Sequence, residues 1–479
     1  PFNLYAQWFL LTEDWWDAAT RNVQGVAPRH EHMTNFVARQ MPDMMAPSNF
    51  PLTNPVVYDR TREESGANLV RGFQNWLEDF ADFAKDAPPD TGDYKVGKNM
   101  AVTPGEVVYR NRLMELIRYR PTTETVQAEP LLIVPAWIMK YYILDLQPQN
   151  SLVRYLVEKG HTVFMISWKN PTEEDRDLDL EDYINLGVMA AIDAVGVIDP
   201  RRKIHATGYC LGGTILAMAA AAMFRENDLR LKSISLFTAQ TDFTEAGELN
   251  LFIDESQVSF MEDVMWDKGY LDTAQMAGAF QLLRSNDLIW SRLVKSYLLG
   301  EDEKLNDLMT WNADATRMPY KMHSQYLRKL FLDNDLAAGR FEVRGRPIGL
   351  IDLHAPIFTV STQNDHVAPW HSVYKIHLLT NTEVTFLLAT GGHNAGIVSE
   401  PGRPNRHFQI SVTQATDKYV DPDEWRTKTP VDDGSWWPAW QKWLVVHSSR
   451  RKKPPPSMGN EEKGYPPLRD APGTYVLEP

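Results

Sequence analysis

Short apolar runs alternate with helical repeats through the middle of the chain. Each run is bounded by polar residues or by Gly and Pro, as is typical of buried strands. The stretches Tyr183–Val197 and Thr214–Phe224 between them carry apolar residues at helical spacing. Such alternation predicts a mostly parallel sheet with helices on both faces. The predicted strands are Leu131–Val134, Thr162–Ser167, Ile204–Tyr209, Ser233–Thr238, Ile357–Ser361 and Val384–Leu388.

Residues 1–105 are predicted to form a helical N-terminal segment. Its clearest helix is Ala67–Ala84, which places its large apolar residues on one stripe. Glu106–Asn111 and Met114–Arg120 predict a hairpin at the start of the α/β core. The stripe consists of Leu69, Phe73, Trp76, Leu77, Phe80 and Phe83.

The core is expected in two parts, residues 106–240 and residues 346–449. Between them, residues 241–345 are mostly helical and interrupt the strand pattern. We expect this insertion to cap the carboxyl edge of the sheet, because α/β proteins bind ligands at that edge.

Two features lie near the end of the sequence. Trp436, Trp440 and Trp443 follow helical spacing and predict a helix packed into the core, the alternative being a surface for a partner or an apolar phase. Residues 450–479 begin with a basic, Pro-rich stretch. We interpret that stretch as a solvated linker before a short tail, the alternative being contact with an acidic partner or a substrate phosphate.

Composition narrows the class of protein. The chain has 43% hydrophobic and 23% charged residues and a net charge of −14, which favours a globular protein and argues against nucleic-acid binding. A single cysteine excludes an internal disulfide and fits a reducing compartment such as the cytoplasm. No apolar run is long enough for a transmembrane segment. The start lacks Met and a signal peptide, so we expect a truncated N-terminal segment.

The strongest local motif is Gly208-Tyr209-Cys210-Leu211-Gly212-Gly213, directly between a predicted strand and an Ala-rich helix. It matches the nucleophile elbow, with Cys in place of the more usual Ser. The strained turn lifts the sulfur above the sheet edge, and the helix N-terminus favours the thiolate. The motif therefore predicts Cys210 as a nucleophile.

An elbow requires an acid and a base later in the chain, in that order. Asp365 follows the strand Ile357–Ser361, and His393 follows Val384–Leu388, which we expect to be the last strand. His366 is an alternative base, but it adjoins the acid in one loop, so we favour His393 and leave His366 as a candidate substrate-channel residue.

Two backbone amides are expected to form an oxyanion hole. One belongs to Leu211, next to the nucleophile. The other should follow the strand Leu131–Val134, and because Pro135 has no N–H, Ala136 or Trp137 is the candidate. The sequence predicts no metal site and no cofactor.

Long, unusual strings elsewhere carry a family resemblance. With the elbow, they make the chain similar, nearly end to end, to polyhydroxyalkanoate synthases, and most similar to the single-subunit, short-chain type (class I-like). The strings include Lys140-Tyr141-Tyr142-Ile143-Leu144-Asp145-Leu146-Gln147-Pro148, Ser167-Trp168-Lys169-Asn170-Pro171, Trp311-Asn312-Ala313-Asp314-Ala315-Thr316, Asp365-His366-Val367-Ala368-Pro369-Trp370 and Gly434-Ser435-Trp436-Trp437-Pro438.

The resemblance implies an α/β-hydrolase fold and an acyltransferase that polymerises (R)-3-hydroxyacyl-CoA, with 3-hydroxybutyryl-CoA as the expected substrate. Coenzyme A would be released and the acyl group carried on Cys210, with His393 and Asp365 completing a triad. The CoA thioester is then a substrate and not a cofactor. A thioester or ester hydrolase with the same triad is the alternative.

The resemblance also suggests surroundings for the triad. It places Asp145, Arg284 and His366 near the active site or its access channel. It implies a homodimer in the cytoplasm at the surface of polyester granules, with granule-associated proteins as partners.

Overall fold

The structure is a computed structural model that describes residues 2–84, 92–273, 289–301, 305–449 and 452–479. The chain divides into two compact units. The first combines residues 1–92 with 274–306, and the second combines residues 93–273 with 307–479. Among the described residues, no helix is both long and apolar enough to cross a membrane.

An eleven-stranded mixed sheet forms the core of the second unit, in the order β14-β13-β12-β11-β6-β5-β3-β4-β2-β1-β15. The central strands from β4 to β12 in that order run parallel, and the strands at both edges pair antiparallel. Two small hairpins, β7–β8 and β9–β10, lie outside this sheet. The strands are β1 Gly105–Arg110, β2 Met114–Tyr119, β3 Leu131–Val134, β4 Val163–Trp168, β5 Ile204–Tyr209, β6 Leu231–Phe237, β7 Tyr270–Leu271, β8 Met318–Pro319, β9 Glu342–Val343, β10 Arg346–Pro347, β11 Ile357–Thr362, β12 Val384–Ala389, β13 His407–Thr413, β14 Val431–Asp433 and β15 Arg469–Asp470.

The predicted central strands are confirmed, and every residue of β3, β4, β5, β11 and β12 is buried. The expectation that β12 is the last strand is wrong. Both β13 and β14 follow it and extend the sheet by antiparallel pairing, with β14 at the edge. These strands are only partly buried, so their mixed composition gave no apolar run to detect.

Helices cover the sheet. The Ala-rich helix Leu211–Arg225 is buried over nearly its whole length, and the small side chains let it lie close to the strands. The predicted tryptophan helix is confirmed as Trp437–His447, with Trp436 at its N-cap. The other α-helices of this unit are Leu152–Glu158, Leu180–Asp182, Ala190–Ile198, Glu255–Lys268, Asp307–Ala313, Tyr320–Gln325, Trp370–Tyr374, Ile376–Leu379 and Pro422–Lys428.

Shorter helical turns complete this unit. The π-helix Tyr183–Met189 joins two α-helical segments, so the predicted helix Tyr183–Val197 is part of a longer, composite one. A second π-helix, Tyr326–Leu332, continues the helix Tyr320–Gln325. The 3-10 turns are Tyr141–Asp145, Glu173–Asp175, Gly247–Phe252, Leu350–Asp352, Glu461–Lys463 and Tyr475–Leu477.

The described part of the first unit is helical, as predicted. The helix Ala67–Ala84 has the predicted bounds, but its apolar stripe is largely exposed. A short π-helix, Leu293–Leu298, packs on its other side. The remaining elements are the helices Phe2–Thr20, Pro28–Met45 and Pro55–Glu63 and the 3-10 turn Pro47–Asn49.

The structure describes the basic, Pro-rich stretch from residue 452 onward, where Lys452 and Pro454 are exposed and Lys453 is held by the second unit. The backbone of Lys453 pairs with that of Val126 in both directions, at 2.8 and 2.9 Å. Its ammonium forms an ion pair with Asp199, which is 4% exposed. Farther on, β15 pairs with β1. A run of charged residues is solvated unless one of them pairs with a buried group of opposite charge. Here Asp199, which is distant in the sequence, pairs with Lys453.

Candidate active site

Cys210 occupies the turn between β5 and the helix Leu211–Arg225. Its backbone has φ 53° and ψ −127°, a strained conformation for a residue with a side chain. The residue is 9% exposed. Its amide donates to the carbonyl of Phe237 in the neighbouring strand β6, at 2.8 Å, which helps to hold the turn in this shape.

The glycines around Cys210 are required by close backbone packing. A Cβ on Gly208 would lie 2.3 Å from the Cα of Gly213. A Cβ on Gly212 would lie 2.1 Å from the carbonyl oxygen of Val134, at the end of β3. The elbow therefore presses the start of the helix against both its own strand and the neighbouring one, as the motif predicts.

Asp365 lies in the turn after β11 and is fully engaged by hydrogen bonds. Its Oδ1 accepts from the amides of Val367 at 2.9 Å and Ala368 at 2.8 Å. Its Oδ2 accepts from the Thr362 hydroxyl at 3.2 Å and faces Nδ1 of His393 at 2.8 Å. The carboxylate is 0% exposed, so its orientation is fixed.

His393 lies in the loop after β12 and links the acid to the cysteine. With Nδ1 directed to Asp365, Nε2 is the ring nitrogen left for the Cys210 sulfur. Burial of the ring lowers its pKa, but the charges of Asp365 and Cys210 and hydrogen bonds to both raise it well above the ordinary histidine value. The structure thus brings the three predicted residues together, with the imidazole of His393 between the carboxylate of Asp365 and the sulfur of Cys210.

The predicted oxyanion donors belong to two segments of the chain. Leu211 is the first residue of its helix, and Ala136 is buried in the loop after β3. Within the described residues, the amides of Leu211, Ala136 and Trp137 find no acceptor. Because buried amides are nearly always paired, their freedom is consistent with donors reserved for a ligand.

The structure describes the surroundings of two of the three predicted channel residues. Asp145 is buried in a polar cluster, where its Oδ1 accepts from Thr103 at 2.5 Å and Ser151 at 2.6 Å. Burial raises its pKa, although both hydrogen bonds oppose that shift. None of these contacts joins it to the triad. His366 is half-buried beside Asp365, and its carbonyl lies 2.4 Å from where Gly247 would carry a Cβ. Arg284 lies outside the described residues.

Sequence reasoning missed the residues that hold the histidine loop. The Tyr209 hydroxyl donates to the Asn394 side chain at 2.5 Å, and burial, followed by the charges of Cys210 and Asp365, raises the pKa of the phenol well above its ordinary value. The indole N–H groups of Trp436 and Trp437 donate to carbonyls of the same loop, both at 2.9 Å. Tyr209 stood inside the elbow motif, but nothing in the sequence showed which loop it would reach.

Comparisons with known proteins agree on the family. Residues 1–156 match the model for the poly-beta-hydroxybutyrate polymerase (PhaC) N-terminus, and residues 129–400 match the alpha/beta hydrolase fold. A poly(3-hydroxyalkanoate) polymerase from Methylorubrum extorquens is 42% identical over 99% of this chain and 78% of its own length. The poly(3-hydroxyalkanoate) polymerase subunit PhaC of Rhizobium meliloti is 39% identical over 99% and 77%.

Among solved structures, a monoglyceride lipase variant from Saccharomyces cerevisiae is similar with a TM-score of 0.41 and 11% identity, over 74% of this chain and 99% of its own. The matched fold model and the mostly parallel sheet show the predicted α/β-hydrolase fold. By full-length identity to curated polymerases, this chain belongs to the poly(3-hydroxyalkanoate) polymerases, a family of acyltransferases.

Proposed function

We propose that this chain polymerises (R)-3-hydroxyacyl-CoA, with 3-hydroxybutyryl-CoA as substrate, into a polyester with release of coenzyme A. The observation that carries the proposal is a cysteine on a strained elbow beside a buried His–Asp pair, in a chain of this family. The name of the relatives indicates a polyester product. The cysteine indicates that the acyl group is carried as a thioester on the protein.

The first step is acylation of Cys210. His393 accepts the thiol proton, and the sulfur attacks the thioester carbonyl. The bond between the carbonyl carbon and the CoA sulfur then breaks, and coenzyme A leaves as a thiol with a proton from His393. Amides of Leu211 and of Ala136 or Trp137 would bind the carbonyl oxygen while it carries negative charge.

The second step transfers the acyl group to a hydroxyl. The 3-hydroxyl of another unit attacks the acyl-Cys210 carbonyl, the new ester bond forms and the cysteine sulfur leaves. The hydroxyl proton requires a base. His393 suits this role better than Asp365, because both oxygens of the carboxylate are already occupied and the side chain is 0% exposed.

A cysteine suits this sequence of steps. Exchange of an acyl group between two thiols is close to thermoneutral, so the acyl group stays activated until the hydroxyl attacks. A serine would form an oxygen ester first and lose that driving force. Neither step transfers electrons, so the proposed reaction uses no redox cofactor.

Water competes with the hydroxyl, so the site must be closed during transfer. Cys210 is 9%, Asp365 7% and His393 8% exposed, which supports a closed site. The insertion at 241–345 is the candidate lid. In its described part, Tyr326 is 8% exposed, and burial, with a smaller contribution from Cys210, raises the pKa of its hydroxyl. An aromatic side chain of the insertion thus lies close to the nucleophile.

The test is incubation of the purified chain with (R)-3-hydroxybutyryl-CoA, with thiol release followed and the product sized. Coenzyme A release with insoluble, high-mass polyester is the expected result. Release with only monomeric hydroxy acid would overturn the proposal in favour of a hydrolase. If no thiol is released, medium-chain substrates test the chain-length assignment separately from the reaction type.

Cys210→Ser is the matched control for the nucleophile. It retains a hydrogen-bonding group of similar size, so we expect the same fold by circular dichroism. Thiol release should fall by at least about a thousandfold, because the nucleophile and the base act as a unit. Substantial residual turnover would contradict the role of Cys210.

We further propose a homodimer that binds the surface of polyester granules with granule-associated proteins. Exposed aromatic side chains in the first unit, such as Trp8 at 67% and Trp15 at 62%, support contact with an apolar surface. Analytical ultracentrifugation, with and without polyester particles, tests both statements. A strictly monomeric chain that does not sediment with the particles would contradict them.

A further inference from the structure

The segment Thr474–Pro479, which we call the clasp, is held by buried polar groups of the second unit. Glu115 of β2, which is fully buried, accepts from the backbone amides at positions 474 and 475, at 2.8 and 3.0 Å. Asn170, just after β4, donates its amide to the carboxylate at position 478 at 2.9 Å and its side chain to the carbonyl at position 479 at 2.5 Å. The clasp is therefore fixed to the sheet and to the loop after β4.

Lys140 ties the clasp to the loop that follows β3. Its ammonium donates to the carbonyls of Val476 at 2.9 Å and Glu478 at 2.5 Å, and it lies 3.8 Å from the carboxylate of Asp314. The side chain is 2% exposed. Burial lowers the pKa of Lys140, and the neighbouring carboxylates oppose that shift. A buried ammonium needs such acceptors, so the position of the loop depends on the clasp.

The same loop, residues 135–140, is also held from the insertion. The Thr316 hydroxyl donates to the carbonyl of Trp137 at 2.6 Å, and the Trp311 indole donates to the carbonyl of Lys140 at 2.8 Å. Both contacts use carbonyls and leave the amides at positions 136 and 137 free. The loop is thus fixed through its carbonyls and through one lysine, while the N–H groups of Ala136 and Trp137 have no hydrogen-bond acceptor among the residues that the structure describes.

We propose that Lys140, through the clasp, positions the loop 135–140 so that its amide at Ala136 or Trp137 binds the carbonyl oxygen of the acyl group on Cys210. Lys140 is a positioning residue, since it acts through the loop. The inference rests on the proposed function, because an oxyanion hole has a use only if Cys210 is acylated.

Acylation and alkylation of Cys210 together distinguish a positioning role of Lys140 from a general effect of its substitution on the fold. Acylation by a thioester passes through a tetrahedral oxyanion, which needs the loop amide. Alkylation by iodoacetamide displaces iodide at a saturated carbon and forms no oxyanion, but it needs the same reactive thiol. Because the sequence contains one cysteine, alkylation reports on Cys210 alone.

The first experiment compares Lys140→Met with the unmodified chain in both reactions. Acylation by (R)-3-hydroxybutyryl-CoA, followed as the first-turnover release of coenzyme A, should slow by at least about tenfold, because small displacements of an oxyanion donor are costly. The rate of alkylation by iodoacetamide should stay within about twofold. Equal slowing of both reactions, or no slowing of acylation, would overturn the inference.

A second variant tests the loop without touching the clasp. Thr316→Val keeps the side-chain shape, removes the hydrogen bond to Trp137, and should show the same selective loss of acylation. The matched control is Lys453→Met, which breaks the buried ion pair with Asp199 far from the loop in sequence. Lys453→Met should change the rates of acylation and alkylation in parallel or not at all. A selective loss of acylation in this control would show that the effect is not specific to the loop 135–140 and would overturn the inference.

The behaviour of the unmodified chain separates this inference from the proposed function. If the unmodified chain releases coenzyme A and forms an adduct on Cys210 by mass spectrometry, the proposed function stands and the loop variants decide the inference. If the unmodified chain forms no such adduct while iodoacetamide still labels it, the proposed function fails and the inference fails with it.

Discussion

Two helices carry aromatic side chains at helical spacing, and the structure buries one set and exposes the other. In the helix Trp437–His447 and its cap, Trp436, Trp440 and Trp443 are at most 8% exposed. In the helix Ala67–Ala84, Phe73, Trp76 and Phe80 are 42–58% exposed. The comparison shows that periodicity identifies a helix and its apolar face, but that it does not identify which face will be packed.

Packing in the tryptophan helix is set by the sheet beneath it. The Trp440 ring contacts Phe237 of β6 edge-on, with centroids 4.9 Å apart, and its indole N–H donates to Ser235 at 2.9 Å. A polar partner on the strand thus satisfies the one polar atom of the ring, which makes complete burial favourable.

Packing in the helix Ala67–Ala84 uses its polar and small residues. Asn68 and Asn75 donate to the carbonyls of Leu298 and Ser296, at 2.8 and 3.1 Å. A Cβ on Gly72 would lie 1.9 Å from the carbonyl oxygen of Tyr297. The aromatic rings meanwhile stack on each other, Phe73 on Trp76 at 5.8 Å and Trp76 on Phe80 at 5.6 Å.

The largest loss of stability is expected from removal of a buried ring in the tryptophan helix. Trp440→Ala should lower the free energy of unfolding by about 3–5 kcal/mol, because it leaves a cavity and an unpaired Ser235. Urea unfolding of this variant, beside the unmodified chain, measures the effect. A loss below about 1 kcal/mol would show that the tryptophan helix contributes little to the core.

A fall in pH should loosen the tryptophan helix selectively. Nε2 of His161 lies 3.5 Å from the side-chain nitrogen of Gln441 in this helix, and Nε2 of His205 contacts the hydroxyl of Ser448, its C-cap residue, at 2.9 Å. Burial, with smaller contributions from neighbouring positive groups, lowers the pKa of His161 to about 4 and of His205 to about 3.

Both histidines have a folded pKa below the unfolded value of about 6.5, so the unfolded chain binds more protons between the two values. Their contribution to stability is complete above about pH 6.5 and is lost progressively as the pH falls through about 4 for His161 and about 3 for His205. Amide hydrogen exchange should therefore accelerate in Trp437–His447 before it does in Ala67–Ala84. His205→Gln should reduce the difference, and an unchanged acid response in that variant would contradict the assignment.

The central strands and the grouping of Cys210, Asp365 and His393 were predictable for a common reason. The strands β3 and β5 are buried on both faces, so each can be recognised, with its bounds, from its own residues. The elbow can be recognised because close backbone packing requires glycines at fixed positions around Cys210. The fit of Asp365 and His393 then followed from chain order. By contrast, Lys140 and Lys453 are held by acceptors more than 250 residues away in the sequence. No local sequence pattern shows such partners.

A smaller effect is expected from a methyl group at the packed face of the helix Ala67–Ala84. Gly72→Ala should lower the stability of the first unit by about 1–3 kcal/mol, because the new Cβ would overlap the backbone at Tyr297. Gly196→Ala is the matched control. That helical glycine has no atom within 4 Å of the ideal Cβ position, so alanine there should be neutral or stabilising by about 0.5–1 kcal/mol. Equal effects of the two substitutions would show that the contact at Gly72 is loose.

The smallest effect is expected at the exposed aromatic stripe. Trp76→Ser removes a ring that is 42% exposed and that, among the described residues, stacks on rings of its own helix, so the free energy of unfolding should change by no more than about 1 kcal/mol. Urea unfolding at two protein concentrations, at least tenfold apart, measures it, with Trp440→Ala as the reference. A loss of more than about 2 kcal/mol at the higher concentration alone would mean that the stripe is covered by association of chains, since only association makes stability depend on concentration. The same loss at both concentrations would instead mean that the ring is packed within one chain, and the contrast between the two helices would not hold.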